Sequence, residues 1–167
     1  QFRIGDSRDI HTLVEMVESS DSLHRVFVPT PDTEGTYRKI CAEFKEVNAG
    51  GGLVSNRRGD YLLISRNGLW DLPKGHQDPD EAIECTAVRE VCEETGLDSL
   101  TIRQFLHKTE HTYERDGQMY LKHTWWFLMQ YVGNKSLVPQ TEEDITDVKW
   151  VKESDLSEYL QNTYTTI

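Results

Sequence analysis

The chain has 167 residues, enough for one hydrophobic core with little left for a second. Its 37% hydrophobic and 28% charged residues argue for a folded domain, and no stretch approaches the roughly 18 to 20 apolar residues of a membrane-spanning helix. With 18 basic residues against 29 acidic ones the net charge is −11, the reverse of a protein that binds nucleic acid by neutralising phosphates. Neither nucleic acid nor a membrane is therefore expected as a partner. A small anionic ligand would also be repelled, unless bound cations reverse the sign locally.

Residues 1–48 read as an N-terminal α/β extension of unknown role, distinct from residues 49–167. The chain starts at Gln1 and not at Met, which points to a piece of a longer chain, and it opens with no basic and apolar leader. Ser7 to Met16 has weak helical spacing through Ile10, Leu13, Val14 and Val17. Val26-Phe27-Val28 predicts a short strand and Pro29 to Asp32 a loop. Thr33 or Thr36 would cap a helix with Tyr37, Ile40, Cys41 and Phe44 on one face.

From Ala49 the pattern changes to strands. Gly50 to Val54, Asn56 to Asp60 and Tyr61 to Ser65 predict a hairpin. Trp70 to Pro73 leads into a loop over Lys74 to Asp80, and Asp80 opens a helix that runs to Thr95 and stops at Gly96. Strands follow at Thr101 to Phe105, His111 to Arg115 and Met119 to Val132, with Asp116-Gly117 as a turn. Trp125, Trp126 and Phe127 would fill both faces of a central strand. Val148 to Val151 predicts a last strand and Asp155 to Gln161 a closing helix. This order implies an α/β fold with a mixed sheet.

Cys41, Cys85 and Cys92 form no paired framework and no CxxC motif, so they read as reduced core cysteines of a cytoplasmic protein. His107, His111 and His123 lack a zinc-ligand pattern and read as structural or solvent-facing.

The helix before Gly96 carries the chemistry. At about 100° per residue, Cys85, Ala87, Val88, Val91, Cys92 and Thr95 share one apolar arc. Glu90, Glu93 and Glu94 share the opposite one, bordered by Arg89. Carboxylates at i, i+3 and i+4 repel one another, and more so in the C-terminal half of a helix, where the dipole disfavours anions. A solvated acidic face would need no function. A hard divalent cation, which takes a few carboxylates together with substrate phosphates, would relieve that repulsion and draw a polyphosphate to a negative protein.

Gly75, five residues, Glu81, seven residues, then Arg89-Glu90-Val91-Cys92-Glu93-Glu94-Thr95-Gly96-Leu97 match the Nudix box at every fixed position over 23 residues. The chain from Ala49 to Val151 thus resembles a Nudix domain, which implies an α/β/α sandwich with a mixed β-sheet. The resemblance further implies hydrolysis of a nucleoside diphosphate linked to another moiety, with Mg²⁺ or Mn²⁺ as cofactor. Glu90 and Glu94 would be the main metal ligands, Glu93 a further ligand or base, and the Gly75 carbonyl a further donor. Arg89 would orient Glu90, and Glu81 would serve the helix N-terminus and Arg89. In many relatives a glutamate before the last strand is the base, which makes Glu142 and Glu143 candidates beside Glu93.

Trp70 to His76 resembles the start of the box in diadenosine and diphosphoinositol polyphosphate hydrolases. Tyr113, 16 residues after Leu97, would stack on adenine. Lys74, Arg66 and Lys122 would hold phosphates. A dinucleoside polyphosphate is the expected substrate of a monomer or homodimer. Nucleoside triphosphates, an ADP-sugar or a diphosphoinositol polyphosphate are the alternatives, and a nucleotide-sensing domain without catalysis is the alternative of another class.

Overall fold

Side chains that mimic backbone acceptors make the turns of this protein. Asn56 Oδ1 accepts from the amides of Arg58 (2.8 Å) and Asp60 (3.0 Å), and Gly59 turns the chain at φ +82°. The hairpin so closed joins β1 (Lys45–Ser55) to β2 (Tyr61–Arg66) in antiparallel register, Ser55 opposite Tyr61. Asn67-Gly68, both at positive φ, turn β2 into β3 (Leu69–Asp71), and Asp116-Gly117 do the same between β5 (Thr101–Arg115) and β6 (Gln118–Gln130). In this computed structural model, residues 7–20 and 25–164 are described.

Among the described residues the strands form one seven-stranded mixed sheet in the order β3-β2-β1-β6-β5. Two further strands join off that path. β4 (Lys74–His76) pairs with β1, and β7 (Ile145–Val151) pairs with β2. The helices are α1 (Ser7–Glu18), α2 (Thr33–Cys41), α3 (Ile83–Thr95) and a single turn, α4 (Leu156–Tyr159), flanked by 3₁₀ turns.

The chain divides into two units. The larger, Val47–His111 with Lys122–Ile167, is built around Val54, Leu62, Ile64, Phe127, Met129 and Ile145. Helix α3 joins this core through Ala87 and Val91, both fully buried. A Cβ at Gly50 would stand 2.8 Å from the Ala87 nitrogen, so only glycine lets β1 approach α3 this closely. The C-terminal turn docks on β3. Tyr159 meets Trp70 edge-on with ring centroids 5.0 Å apart, the Lys149 ammonium lies 4.6 Å from the Trp70 centroid, and Asn162 Nδ2 donates to the Gly68 carbonyl (2.9 Å).

The smaller unit, Gln1–Glu46 with Thr112–Leu121, holds α1 and α2, with Ile10, Leu13 and Cys41 buried. Tyr113 stacks on Tyr120 there, centroids 5.2 Å apart and planes 9° from parallel.

Several boundaries differ from expectation. Val26-Phe27-Val28 forms no strand, and Asp32, not Thr33 or Thr36, caps α2 by accepting from the Gly35 amide (2.9 Å). The residue predicted to open α3, Asp80, has a φ of +62°, which is incompatible with a helical first turn, so α3 begins at Ile83. Residues 106–110, read as a break between two strands, are continuous β5. Cys85 is exposed and only Cys41 of the three cysteines is fully buried.

Candidate active site

Helix α3 is amphipathic on a different axis from the one its apolar residues suggest. Thr86, Ala87, Glu90, Val91, Glu94 and Thr95 are its buried residues, whereas Cys85 faces water and Val88 is half-buried. Two of the three carboxylates thus point into the protein. Glu94 is 0% exposed and Glu90 6%. Gly96, at φ +72°, ends the helix directly behind them.

Strand β4 sets the opposite wall. Pairing of Gly50 with Gly75 and of Gly51 with Lys74 lays this strand beside α3. The Lys74 amide donates to Glu94 Oε2 (2.8 Å). The Glu90 carboxylate occupies the space a Cβ at Gly75 would fill, so a side chain there would collide with it. The sequence pattern read this segment as loop; the strand arises from its pairing with β1.

Arg89 organises the remaining acids. Its Nε donates to Glu81 Oε1 (3.0 Å) and Nη2 to Glu81 Oε2 (2.8 Å), a two-pronged pair. Nη2 also donates to the His76 carbonyl (2.9 Å), while Nη1 donates to Glu90 Oε1 (2.8 Å) and Glu93 Oε2 (3.1 Å). Glu81 further accepts from the Thr86 hydroxyl (2.7 Å), so it braces the start of α3. The Arg89 hydrogen bonds, followed by that of Thr86, hold the Glu81 carboxyl down at about 2. Glu81, first of all, strengthens the hold of Arg89 on its own proton.

The carboxylates nearest the core behave in the opposite sense. Burial pushes Glu94 up to about 7, against the charges of Lys74 and Arg66. Burial also raises Glu90, against the pull of Arg89. Arg66 Nη1 lies 3.8 Å from Glu94 Oε1, and its Nη2 lies 3.5 Å from Glu143 Oε2. Burial, and then the charges of Lys74 and Arg66, bring the Lys122 ammonium down to about 8. Six of the side chains singled out in the sequence therefore lie within electrostatic reach of one another: Arg66, Lys74, Glu90, Glu94, Lys122 and Glu143. Glu142, on the same 3₁₀ turn Thr141–Glu143, is exposed. Tyr113 belongs to the smaller unit.

Two further residues join the cluster: Asp71, to which the sequence pattern gives no role, and His111, which it reads as structural or solvent-facing. Asp71 is 2% exposed and accepts from Lys74 Nζ at 2.5 Å. His111 is half-buried, its pKa lowered by burial and then by Lys122 and Lys74. An acid three residues before Lys74 was the available signal for Asp71. His111 had none, because the neighbours that draw it in come from other strands.

Whether the residues fit a divalent cation turns on one atom. Glu94 Oε1 is buried and has no hydrogen-bond partner, a costly state for a carboxylate oxygen unless a cation completes it. Among the described residues no three His, Cys, Asp or Glu side chains already converge as a metal shell. Glu90 and Glu93 share Arg89, and Glu94 spends its other oxygen on Lys74. The donor set is all oxygen, which suits Mg²⁺ or Mn²⁺. The residues fit.

The NUDIX domain model matches residues 45–165, more than two thirds of the chain. The "Putative mutator protein MutT4" of Mycobacterium tuberculosis is 33% identical over 90 residues, covering 53% of this chain and 35% of its own. The "Putative 8-oxo-dGTP diphosphatase" of Bacillus subtilis is 47% identical over 49 residues, covering 28% and 33%. The chain thus spans about a third of the length of these curated relatives. A C. elegans Ap4A hydrolase in a binary complex superposes with a TM-score of 0.54 at 25% identity, over 71% of this chain and 88% of that one. Nudix hydrolases generally use divalent metal ions and act on small-molecule nucleotides. A mixed sheet carrying helix α3, with the box residues gathered along its buried flank, is the α/β Nudix fold, and the chain belongs to the Nudix family.

Proposed function

We propose that this protein hydrolyses a phosphoanhydride bond in a nucleoside diphosphate linked to another moiety, with Mg²⁺ or Mn²⁺ as cofactor. The observation that carries this reading is the buried Glu94 Oε1, which accepts no hydrogen bond among the described residues and has the Arg66 guanidinium near it, at 3.8 Å. Glu90 and Glu94 would hold the cation, with Glu93 and the Gly75 carbonyl as further donors. When bound, the ion neutralises phosphate charge and polarises the phosphoryl oxygens.

The chain's own residues do the rest. Arg89 fixes the orientation of Glu90 and Glu93. Lys74, Arg66 and Lys122 supply three positive charges for the phosphates, which answers the repulsion expected from a net charge of −11. A water attacks phosphorus, the P–O bond to the leaving phosphate breaks, and a carboxylate accepts the water's proton. Glu143 suits the role of base better than Glu142, since Arg66 links its carboxylate to Glu94. Glu93, 47% exposed at its side chain, remains the other candidate.

For the substrate we infer a dinucleoside polyphosphate. The resemblance of Trp70 to His76 and the Ap4A hydrolase among the structural neighbours support this. The 47% identity to the 8-oxo-dGTP diphosphatase favours an oxidised nucleoside triphosphate as the second reading. The test is a panel of diadenosine polyphosphates, normal and 8-oxo nucleoside triphosphates, ADP-ribose and diphosphoinositol phosphates, run with Mg²⁺ or Mn²⁺ in ¹⁸O water. Turnover of the dinucleotides, with label in one phosphate product, supports the reading. Binding of every nucleotide without turnover of any would replace it with a sensor function.

A further inference from the structure

Glu94 Oε1 accepts no hydrogen bond among the described residues, and the Arg66 guanidinium stands off from it at 3.8 Å. Lys74 faces it from β4, its amide already donates to Glu94 Oε2, and its positive charge is the leading influence opposing burial at that carboxyl. An ammonium on a flexible four-carbon stem should fold back onto the nearest unsatisfied carboxylate oxygen. Here it does not. The Lys74 Nζ donates instead to Asp71 Oδ2 at 2.5 Å, and both side chains are mostly out of water, 14% and 3% exposed.

Asp71 is itself anchored on two sides. It pairs with Ile64 in the β2–β3 ladder, and its Oδ1 accepts from the Leu72 amide at 2.8 Å. The acceptor that holds Lys74 is therefore fixed by the sheet, while Lys74 is the movable member. An aspartate placed there has no need to touch the cation in order to matter to it.

We propose that Asp71 is a positioning residue that holds the Lys74 ammonium away from Glu94 Oε1 and so keeps that oxygen available to a divalent cation. Without this acceptor, Lys74 would close on Glu94 as an internal substitute for the metal, and the ion would have to displace it. The proposal rests on Glu94 being a metal ligand, and the test separates the two claims.

The probe is Mn²⁺ alone, with affinity read by calorimetry and by the loss of free-ion EPR signal, in the absence of substrate. Asp71→Asn keeps an oxygen for the Leu72 amide and removes the charge. It should weaken Mn²⁺ binding by about tenfold or more, the scale typical of losing an outer partner of a metal ligand. Lys74→Met alone should leave the affinity unweakened. The double variant Asp71→Asn/Lys74→Met should return to within about twofold of the parent, because the competitor has gone. A merely structural Asp71 would lower the melting temperature without this rescue. Parental affinity in folded Asp71→Asn, or no recovery in the double variant, overturns the proposal. Should Asp71→Asn fail to fold, Asp71→Ser with and without Lys74→Met is read by the same two criteria. Glu94→Gln is measured alongside: if it weakens Mn²⁺ binding and Asp71→Asn does not, only the role of Asp71 falls. If neither weakens it, the metal assignment of Glu94 falls as well.

Discussion

Glu81 and Arg89 face each other as a planar fork on a planar carboxylate, 3.0 and 2.8 Å apart at the two prongs. Eight residues separate them in sequence, and Glu81 lies before the first turn of α3, so the pair fastens the approach loop to the helix. The same guanidinium then reaches Glu90 and Glu93, so one cation couples the fold of the loop to the posture of two acids.

Arg89→Lys keeps the charge and loses the fork. It should cost about 1–3 kcal/mol of stability, the range for charge-assisted hydrogen bonds left unmade, and lower kcat together with it. Urea titration and steady-state kinetics check this. A melting curve and kcat both matching the parent would remove Arg89 from its organising role.

Acid should dissolve this pair. The folded Glu81 carboxyl, near 2, lies below its ordinary 4.5, so its contribution to stability is complete above pH 4.5. That contribution is lost as pH falls from 4.5 towards 2. Glu81→Gln should flatten the acid limb of stability against pH in this window, as read from urea midpoints in a pH series.

Glu94 predicts the opposite slope. Its folded pKa, about 7, stands above 4.5, so the metal-free protein should become less stable as pH rises between these values. The full effect is on the order of 3 kcal/mol, taking about 1.4 kcal/mol per unit. Thermal melts in chelator should show this decline, millimolar Mg²⁺ should reverse it, and Glu94→Gln should abolish it. The same variant should fold and lose most of kcat; unchanged turnover would falsify the assignment of Glu94 to the metal.

Gly75→Ala tests the wall opposite Glu90. The added methyl meets the Glu90 carboxylate and must expel it. A misplaced catalytic group of this kind costs about 10²-fold in rate. The expected result is that loss in kcat/KM, with a melting temperature that falls by only a few degrees.

Glu143→Gln and Glu142→Gln separate neighbours on one turn. If Glu143 accepts the water's proton, its variant should lose about 10²- to 10⁴-fold in kcat, and the Glu142 variant should stay close to the parent. Equal, small effects at both would move the base to Glu93.

Punctuation was the legible part of this sequence. Gly96, Asp116-Gly117 and the Asn56–Asp60 turn each sit where a positive φ or a side-chain acceptor dictates the backbone. The box residues gather as their spacing suggests. What misled was polarity taken as a guide to burial: Glu90 and Glu94 are buried while Cys85 is exposed. Strand β5 was split because its exposed side chains lack the alternation of a half-buried strand. Strand β4 was missed because its three residues are held by β1 and by no preference of their own.

Strand β3 is only three residues long, and successive side chains of a strand point to opposite faces. Trp70 thereby clasps the tail of the chain through Tyr159 and Lys149, while its neighbour Asp71 reaches Lys74. Tyr159 and Lys74 are thus held through a hinge pin of two consecutive residues, Trp70 and Asp71. Removing the Tyr159 ring should therefore be felt at the far side of the strand as a slackened grip on the lysine.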